Sequence, residues 1–231
     1  MNNALYLDTF LFAILPYMVL ITFLPVTIVR YRARGFTYSS LSSQFLENQQ
    51  HFWGMVPFHY GILSVLAGHL AALFLPNQVL AWNARPVRLY ALEITGLLLG
   101  VLALVGLCAA LVRRITTMKV RVVTTTRDWI LFVMLLVQIA SGIAVAIFNP
   151  WGSSWFAAVV TPYFASLTRL SPDLAAVAAM PLLVKFHIVN AYLVIGYFPF
   201  TRLVHVLVVP NPYLWRKPQV VRWYRRPTTA A

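Results

Sequence analysis

The chain has 231 residues, 61% of them hydrophobic and only 10% charged, and its 18 Lys and Arg against 5 Asp and Glu leave a formal net charge of +13. A soluble domain carries about 25% charged residues and about 45–50% apolar ones, so this chain lacks the polar surface to stay dispersed in water. Nor is the basic excess that of a nucleic-acid partner, which needs Lys and Arg on one solvated face; here they fall in short clusters between long apolar runs.

A hydrocarbon core of about 30 Å takes about 20 apolar residues in helix, and five stretches reach that length, roughly 5–29, 52–75, 88–111, 129–148 and 182–209. The runs are continuous, unlike the alternating segments of a barrel. Only helices or closed barrels satisfy the backbone in lipid. The expected fold is all-α: one domain over residues 1–231, an integral membrane five-helix transmembrane bundle.

In chain order, the first run has no basic leader, carries Asp8 near its start and shows no small-residue cleavage site before Arg30, so it reads as a span and not a signal peptide. Arg30, Arg32 and Arg34 follow it. The second run holds His59 and His69 with Gly61 and Gly68, and His51 stands at its entrance, where an interfacial role is expected. Arg88 opens the third run, which contains Glu93 and the lone Cys108; one cysteine supports neither a disulfide framework nor a thiolate metal site within this chain. Arg113, Arg114, Lys119, Arg121 and Arg127 precede the fourth. The segment 149–180 carries Trp151, Trp155, Phe156, Tyr163 and Phe164, which suits a stretch lying in the membrane interface. The fifth run holds Lys185, His187, Gly196, Pro199, Arg202 and His205, and Arg216, Lys217, Arg222, Arg225 and Arg226 follow it.

These clusters define an orientation. Fourteen of the 18 basic residues fall on one side, leaving Arg85, Arg88, Arg169 and Lys185 on the other. The positive-inside rule places the larger set in the cytoplasm. The N-terminus is then outside and the C-terminus cytoplasmic, in a multi-pass protein of the inner, cytoplasmic membrane.

Ionisable residues inside spans are costly and usually functional. The second and fifth runs cross in opposite directions, so His59 and His205 lie toward the cytoplasm and His69 and His187 toward the outside. Each depth receives one histidine from each helix. A rise of 1.5 Å per residue separates His59 from His69 by about 15 Å and His187 from His205 by about 27 Å; tilt or a kink at Pro199 would absorb part of the mismatch. In an unbroken helix the eighteen-residue interval is about five full turns, which points His187 and His205 the same way. Two imidazoles leave zinc half bound. A haem brings four ring nitrogens and needs only axial ligands, and Gly61, Gly68 and Gly196 offer clearance for a planar ring. A single transmembrane histidine is more often an interhelical hydrogen-bond donor; four of them paired by depth favour haem.

With those residues in view, the chain resembles the gamma subunit of respiratory nitrate reductase, a membrane dihaem cytochrome b. The resemblance runs from the first span nearly to the C-terminus. It is carried by Phe58-His59, Gly68-His69, Phe186-His187 and the run from Pro199 through Phe200, Thr201, Arg202, Leu203 and Val204 to His205. Weaker support comes from Ser42-Ser43-Gln44, Ala81-Trp82, Arg121 with Thr124-Thr125-Thr126, Tyr213-Leu214 and Arg216-Lys217.

The resemblance implies two b haems with histidine axial ligands to iron. His59 and His205 would hold the inner one, and His69 and His187 the outer. It implies quinol oxidation beside the outer haem and electron transfer inward to a cytoplasmic iron–sulfur (beta) subunit. From there electrons reach a molybdenum (alpha) subunit, which reduces nitrate. A basic residue at the outer start of the third span is associated with the quinol site. Arg88 stands there where Lys is usual, which suits a hydrogen-bond donor to quinol but not a proton carrier. Lys185 and Arg202 are candidates to anchor haem propionates, and Glu93 and Asp173 are proton acceptors by position. The cytoplasmic partners would dock on residues 31–50, the 113–127 loop and the tail after 209, with some basic charge on anionic lipid. The alternatives are a cytochrome b of another quinol-linked reductase, heterodisulfide-reductase-like or acting on another oxyanion, or a non-redox membrane anchor or transporter. A transporter usually shows paired halves with broken helices, and five spans do not divide evenly.

Overall fold

A computed structural model describes residues 3–38, 46 and 49–208. Among them no strand forms. Five helices are long and apolar enough to cross a membrane: Tyr6–Arg34, Phe52–Phe74, Pro86–Thr116, Thr126–Phe148 and Leu182–Phe200, spans one to five. No more than 28% of any span's most apolar stretch is buried inside the protein. Ile21, Phe74, Leu98, Val133 and Leu182 turn outward, an apolar surface fit for lipid and not for water. The expected all-α multi-pass membrane fold is the one observed. The cluster of Arg30, Arg32, Arg34, Arg113, Arg114 and Arg202 marks a basic end of the bundle; the other is the far end. Ser42, Ser43, Gln44, Tyr213, Leu214 and the cations after residue 209 lie outside the described residues. His51 falls within the helical run Gln49–Phe74, but its side chain is also outside them.

The spans pack in the order two, three, four, five, one. Spans two and three make the closest approach, because both present small residues. A Cβ on Gly61 would lie 2.6 Å from the Leu99 carbonyl and the Ala103 nitrogen, and one on Gly106 would collide with the backbone of Gly54 and Phe58. Lipid tails are as apolar as the helices, so close main-chain contact is what holds such a pair. This corrects the sequence reading of the glycines. Gly61 is spent on span three, and Gly196 lies against Val19 of span one; of the three, only Gly68 faces open space.

Span four begins with a capping box, in which Thr125 N donates to Asp128 Oδ2 at 2.8 Å and Asp128 N to Thr125 Oγ1 at 3.4 Å. Span five departs from its expected extent. Its α-helix ends at Tyr197, a 3-10 turn covers Phe198–Phe200, Thr201 is extended at φ −113°, and a second 3-10 stretch runs Arg202–Leu207. Proline lacks the N–H the helix needs and crowds the carbonyl four residues back. The eighteen-residue periodicity across His187 and His205 therefore does not apply, and neither does the expected 27 Å. The break exposes main-chain acceptors that Arg30 of span one covers, its Nη1 donating to the carbonyls of Pro199 and Thr201 and its Nε to Thr37 Oγ1. Thr201 Oγ1 accepts from Leu203 N at 3.1 Å and starts the last turn.

The segment 149–180, expected to lie in the interface, is folded onto the far end as short helices, among them Gly152–Trp155 and Thr161–Thr168. Tyr163 is fully buried in a core with Phe12, Val160 and Tyr192, Phe156 and Phe164 are half-buried, and Trp151 stays exposed. Burial is tolerated because the phenol finds polar partners inside. Tyr163 Oη donates to the Phe12 carbonyl at 2.7 Å and lies 3.0 Å from Tyr192 Oη.

Candidate functional site

Span two carries a histidine toward each end, span five carries His187, His205 follows on the 3-10 stretch Arg202–Leu207, and the structure shows what holds every ring. At the basic end, His59 Nδ1 lies 2.7 Å from the Met55 carbonyl and His205 Nδ1 2.6 Å from the Arg202 carbonyl. A carbonyl only accepts, so Nδ1 carries the proton and Nε2 is left with a bare lone pair. The two ring centroids are 6.5 Å apart. Imidazoles bonded end-on to one metal through bonds of about 2 Å place their centroids about 6 Å apart. The donor set and the spacing therefore fit axial ligation of one metal by both rings. Metal-bound histidine characteristically gives its other N–H to a carbonyl in this manner.

His205 reaches that position from outside a regular helix. Arg202, whose carbonyl holds it, is itself held. Its Nε lies 2.7 Å from Asp128 Oδ1 and its Nη2 2.8 Å from Oδ2, a two-point ion pair between the 3-10 stretch that follows the fifth span and the first turn of the fourth. Arg114 lies over the Phe132 ring at 4.8 Å and donates to Thr124 Oγ1, closing the same corner.

At the far end, His69 Nδ1 is 2.8 Å from the Val65 carbonyl, and its ring meets Phe156 edge-on at 5.4 Å. His187 is held across helices. Its Nδ1 is 2.9 Å from Ser141 Oγ, and Ser141 donates its single hydroxyl proton to the Gln138 carbonyl at 3.1 Å. The hydroxyl is thus left as acceptor, His187 Nδ1 carries the proton, and Nε2 keeps a lone pair that faces the Gln138 amide NH2. The Gln138 amide lies 3.2 Å from that Nε2, while Asn190 donates to Gln138 Oε1 at 2.7 Å and to the Met134 carbonyl at 3.1 Å. A Cβ at Gly142 would come within 2.9 Å of His187 Cε1, so the imidazole occupies space that only glycine leaves. Phe156 supports the His69 ring and span four the His187 ring. All four histidines are held through Nδ1, which leaves Nε2 as the nitrogen that could ligate a metal; at His187 the Gln138 amide lies against it.

The remaining candidates have definite places. Lys185 Nζ pairs with Asp8 Oδ2 at 2.7 Å and ties span five to span one. Arg202 is engaged with Asp128. The Arg88 guanidinium lies over the Trp82 ring at 5.3 Å, and Trp82 Nε1 donates to the Arg88 carbonyl at 3.2 Å. Glu93 Oε1 accepts from the Ser153 N–H and hydroxyl, and Asp173 caps the helix Leu174–Ala178. Among the described residues, no three His, Cys, Asp or Glu gather into a self-contained ion site. Residues that the sequence reading passed over are Asp128, Gln138, Ser141 and Asn190. The capping box Thr125-x-x-Asp128 marked the first of them. The polar side chains inside spans four and five were a weaker signal, since such groups commonly join helices in lipid.

Comparison with known proteins is consistent along the whole chain. Residues 8–224 match the family model described as nitrate reductase gamma subunit. The chain is similar to the nitrate reductase gamma chain of Bacillus subtilis (strain 168), 34% identical over 215 residues, which cover 92% of this chain and 96% of the relative. It is also similar to two proteins of Escherichia coli (strain K12). The respiratory nitrate reductase 2 gamma chain is 33% identical over 230 residues, covering 94% of this chain and 97% of the relative. The respiratory nitrate reductase 1 gamma chain is 32% identical over 227 residues, covering 94% and 98%.

Proposed function

This chain belongs to the nitrate reductase gamma subunit family and is the membrane-spanning subunit of a nitrate reductase, and on that premise we propose that it oxidises quinol and sends the electrons inward for nitrate reduction on another subunit. The observation that carries the reading is the pairing of His59 with His205, 6.5 Å between ring centroids, each with Nδ1 hydrogen-bonded to a main-chain carbonyl. Two b haems, when bound, supply one-electron carriers at two depths of the bilayer. His59 and His205 hold the one at the basic, cytoplasmic end, and His69 and His187 the one at the far, outer end.

Quinol is bound at the outer end, where Arg88 donates a hydrogen bond to its oxygen; the Trp82 face beneath the guanidinium fixes its direction. Each quinol gives up two electrons and two protons. The protons leave on the outer side, where Glu93 and Asp173 are acceptors by position. Each electron moves inward, a full crossing being worth about 2.3 kcal/mol per 100 mV. Lys185 and Arg202, each already neutralised by a carboxylate of this chain, act in positioning more than as propionate anchors. The basic end docks the iron–sulfur and molybdenum subunits, residues 31–38 and the 113–127 turn being among its described parts, and the complex lies in the inner membrane.

The test is a reduced b-type spectrum of the purified full chain. Two haems per chain are expected, with His69→Ala removing only the outer one and His59→Ala only the inner. One haem or none in the unaltered protein would overturn the reading.

A further inference from the structure

Three of the four histidines give their Nδ1 proton to a carbonyl of their own helical segment: His59 to Met55, His69 to Val65 and His205 to Arg202. His187 differs. Its Nδ1 is held from another helix, by Ser141 Oγ at 2.9 Å, while the Gln138 amide nitrogen lies farther off, 3.3 Å from Nδ1 and 3.2 Å from Nε2. Ser141 is buried at 7% exposure, and its own proton is committed to the Gln138 carbonyl at 3.1 Å, so the hydroxyl faces His187 as an acceptor only. Gly142 beside it leaves the room in which the imidazole sits. Asn190, one turn along span five, bonds Gln138 Oε1 at 2.7 Å and the Met134 carbonyl at 3.1 Å, which keeps spans four and five in register around that contact.

On the reading that His69 and His187 hold the outer haem, we infer that Ser141 is a positioning residue for that haem alone: by accepting the Nδ1 proton of His187 it sets the plane of the imidazole and the donor strength of Nε2, and so lowers the reduction potential on the outer side only. An acceptor on Nδ1–H makes an imidazole a stronger donor and fixes its orientation, and hydrogen bonding to an axial ligand is one of the levers by which a protein tunes haem. A stronger donor favours the oxidised iron. Main-chain carbonyls hold the other three rings and no substitution removes them, so this contact is where the two haems are set apart.

The test is an optical redox titration of membranes carrying the full chain, with the outer transition identified as the one absent in His69→Ala. Ser141→Ala is expected to move the outer midpoint to higher potential and leave the inner one in place, with the outer low-spin resonance shifted, and Ser141→Thr, which keeps the hydroxyl, to restore both. Unchanged midpoints in Ser141→Ala, or equal shifts of both haems, overturn the inference. Loss of the outer haem alone in Ser141→Ala supports it if Ser141→Thr recovers that haem and overturns it otherwise. Fewer than two haems in the unaltered protein refutes the underlying two-haem reading instead, whatever Ser141 does.

Discussion

Arg202 and Asp128 form a two-point ion pair, 2.7 Å from Nε to Oδ1 and 2.8 Å from Nη2 to Oδ2, across the corner where the fourth span begins and the fifth has already ended. The Arg202 carbonyl in turn accepts from His205 Nδ1. A salt bridge at the base of one helix thereby sets the position of an imidazole presented by a broken one. Breaking a buried pair by removing one partner strands the other charge and costs about 3–5 kcal/mol. With Asp128 5% exposed, Asp128→Asn is expected near the lower figure. Its signature is selective: loss of the inner haem from the spectrum with the outer one retained, and a lower melting temperature in detergent. A variant that keeps both haems refutes the coupling.

Arg30 performs the companion task from span one, its guanidinium covering the carbonyls of Pro199 and Thr201 and reaching Thr37. Lysine has one point charge where arginine has a planar fork. Arg30→Lys should therefore lower inner-haem occupancy partway and Arg30→Ala further, since each stranded buried acceptor costs about 1–3 kcal/mol. Haem-to-protein ratios in the two variants check the order; equal occupancy in both rejects it.

Gly106 is the tightest point between spans two and three, where any Cβ meets the backbone of Gly54 and Phe58. Gly106→Val must push the helices apart, and overpacking of that kind costs about 1–3 kcal/mol or more. Because His59 follows Phe58 directly, the expected result is a lowered melting temperature accompanied by a broadened inner-haem band. Gly68→Ala, in open space, serves as the control and should leave both unchanged.

Burial pushes the Tyr163 phenol up to about 12, with the hydrogen bond from Tyr192 acting in the opposite sense. The folded far end favours the neutral phenol, whereas an unfolded tyrosine titrates near pH 10. Its stabilising effect is complete below about pH 10 and is lost as pH rises from there through about 12. The unaltered protein should lose heat stability across that interval more steeply than Tyr163→Phe. That variant is expected to be less stable at neutral pH by about 1–3 kcal/mol, because the Phe12 carbonyl is left without its donor. Melting curves at stepped pH distinguish the two slopes.

At the far end, Arg88 lies over Trp82, its guanidinium 5.3 Å from the ring centroid. Arg88→Gln is expected to raise the KM for quinol several-fold while both haems remain in the spectrum. An unchanged KM removes Arg88 from the quinol site.

Much of the molecule was legible before any coordinates. Apolar run length and the placement of basic clusters are local properties, so the membrane class, the five spans and the depth at which each histidine enters could be read from residues in order. A helix rises by a constant amount per residue, and antiparallel crossing then ranks His59 with His205 and His69 with His187. Fold contacts between distant segments were not legible. Gly61 and Gly196 carried the same mark as Gly68, a small residue in a histidine-bearing run, and only their neighbours Ala103 and Val19 reveal that they join helices. Tyr163 and Trp151 are both aromatic residues in one loop, yet one is core and the other surface, because a carbonyl in span one awaits the first.

By itself, then, the sequence determined what crosses the membrane and how often, and it ranked His59 with His205, which the structure brings to 6.5 Å between ring centroids. Only the tertiary structure decided which group holds each imidazole: three main-chain carbonyls of the ring's own segment, and for His187 a serine on another helix. It also decided that the fifth span breaks at Pro199 and is held there by Arg30 and Asp128. The reason is physical. Hydrogen bonds and close contacts between helices depend on where residues far apart in the chain meet, and in lipid those contacts, not apolar burial, decide how helices pair.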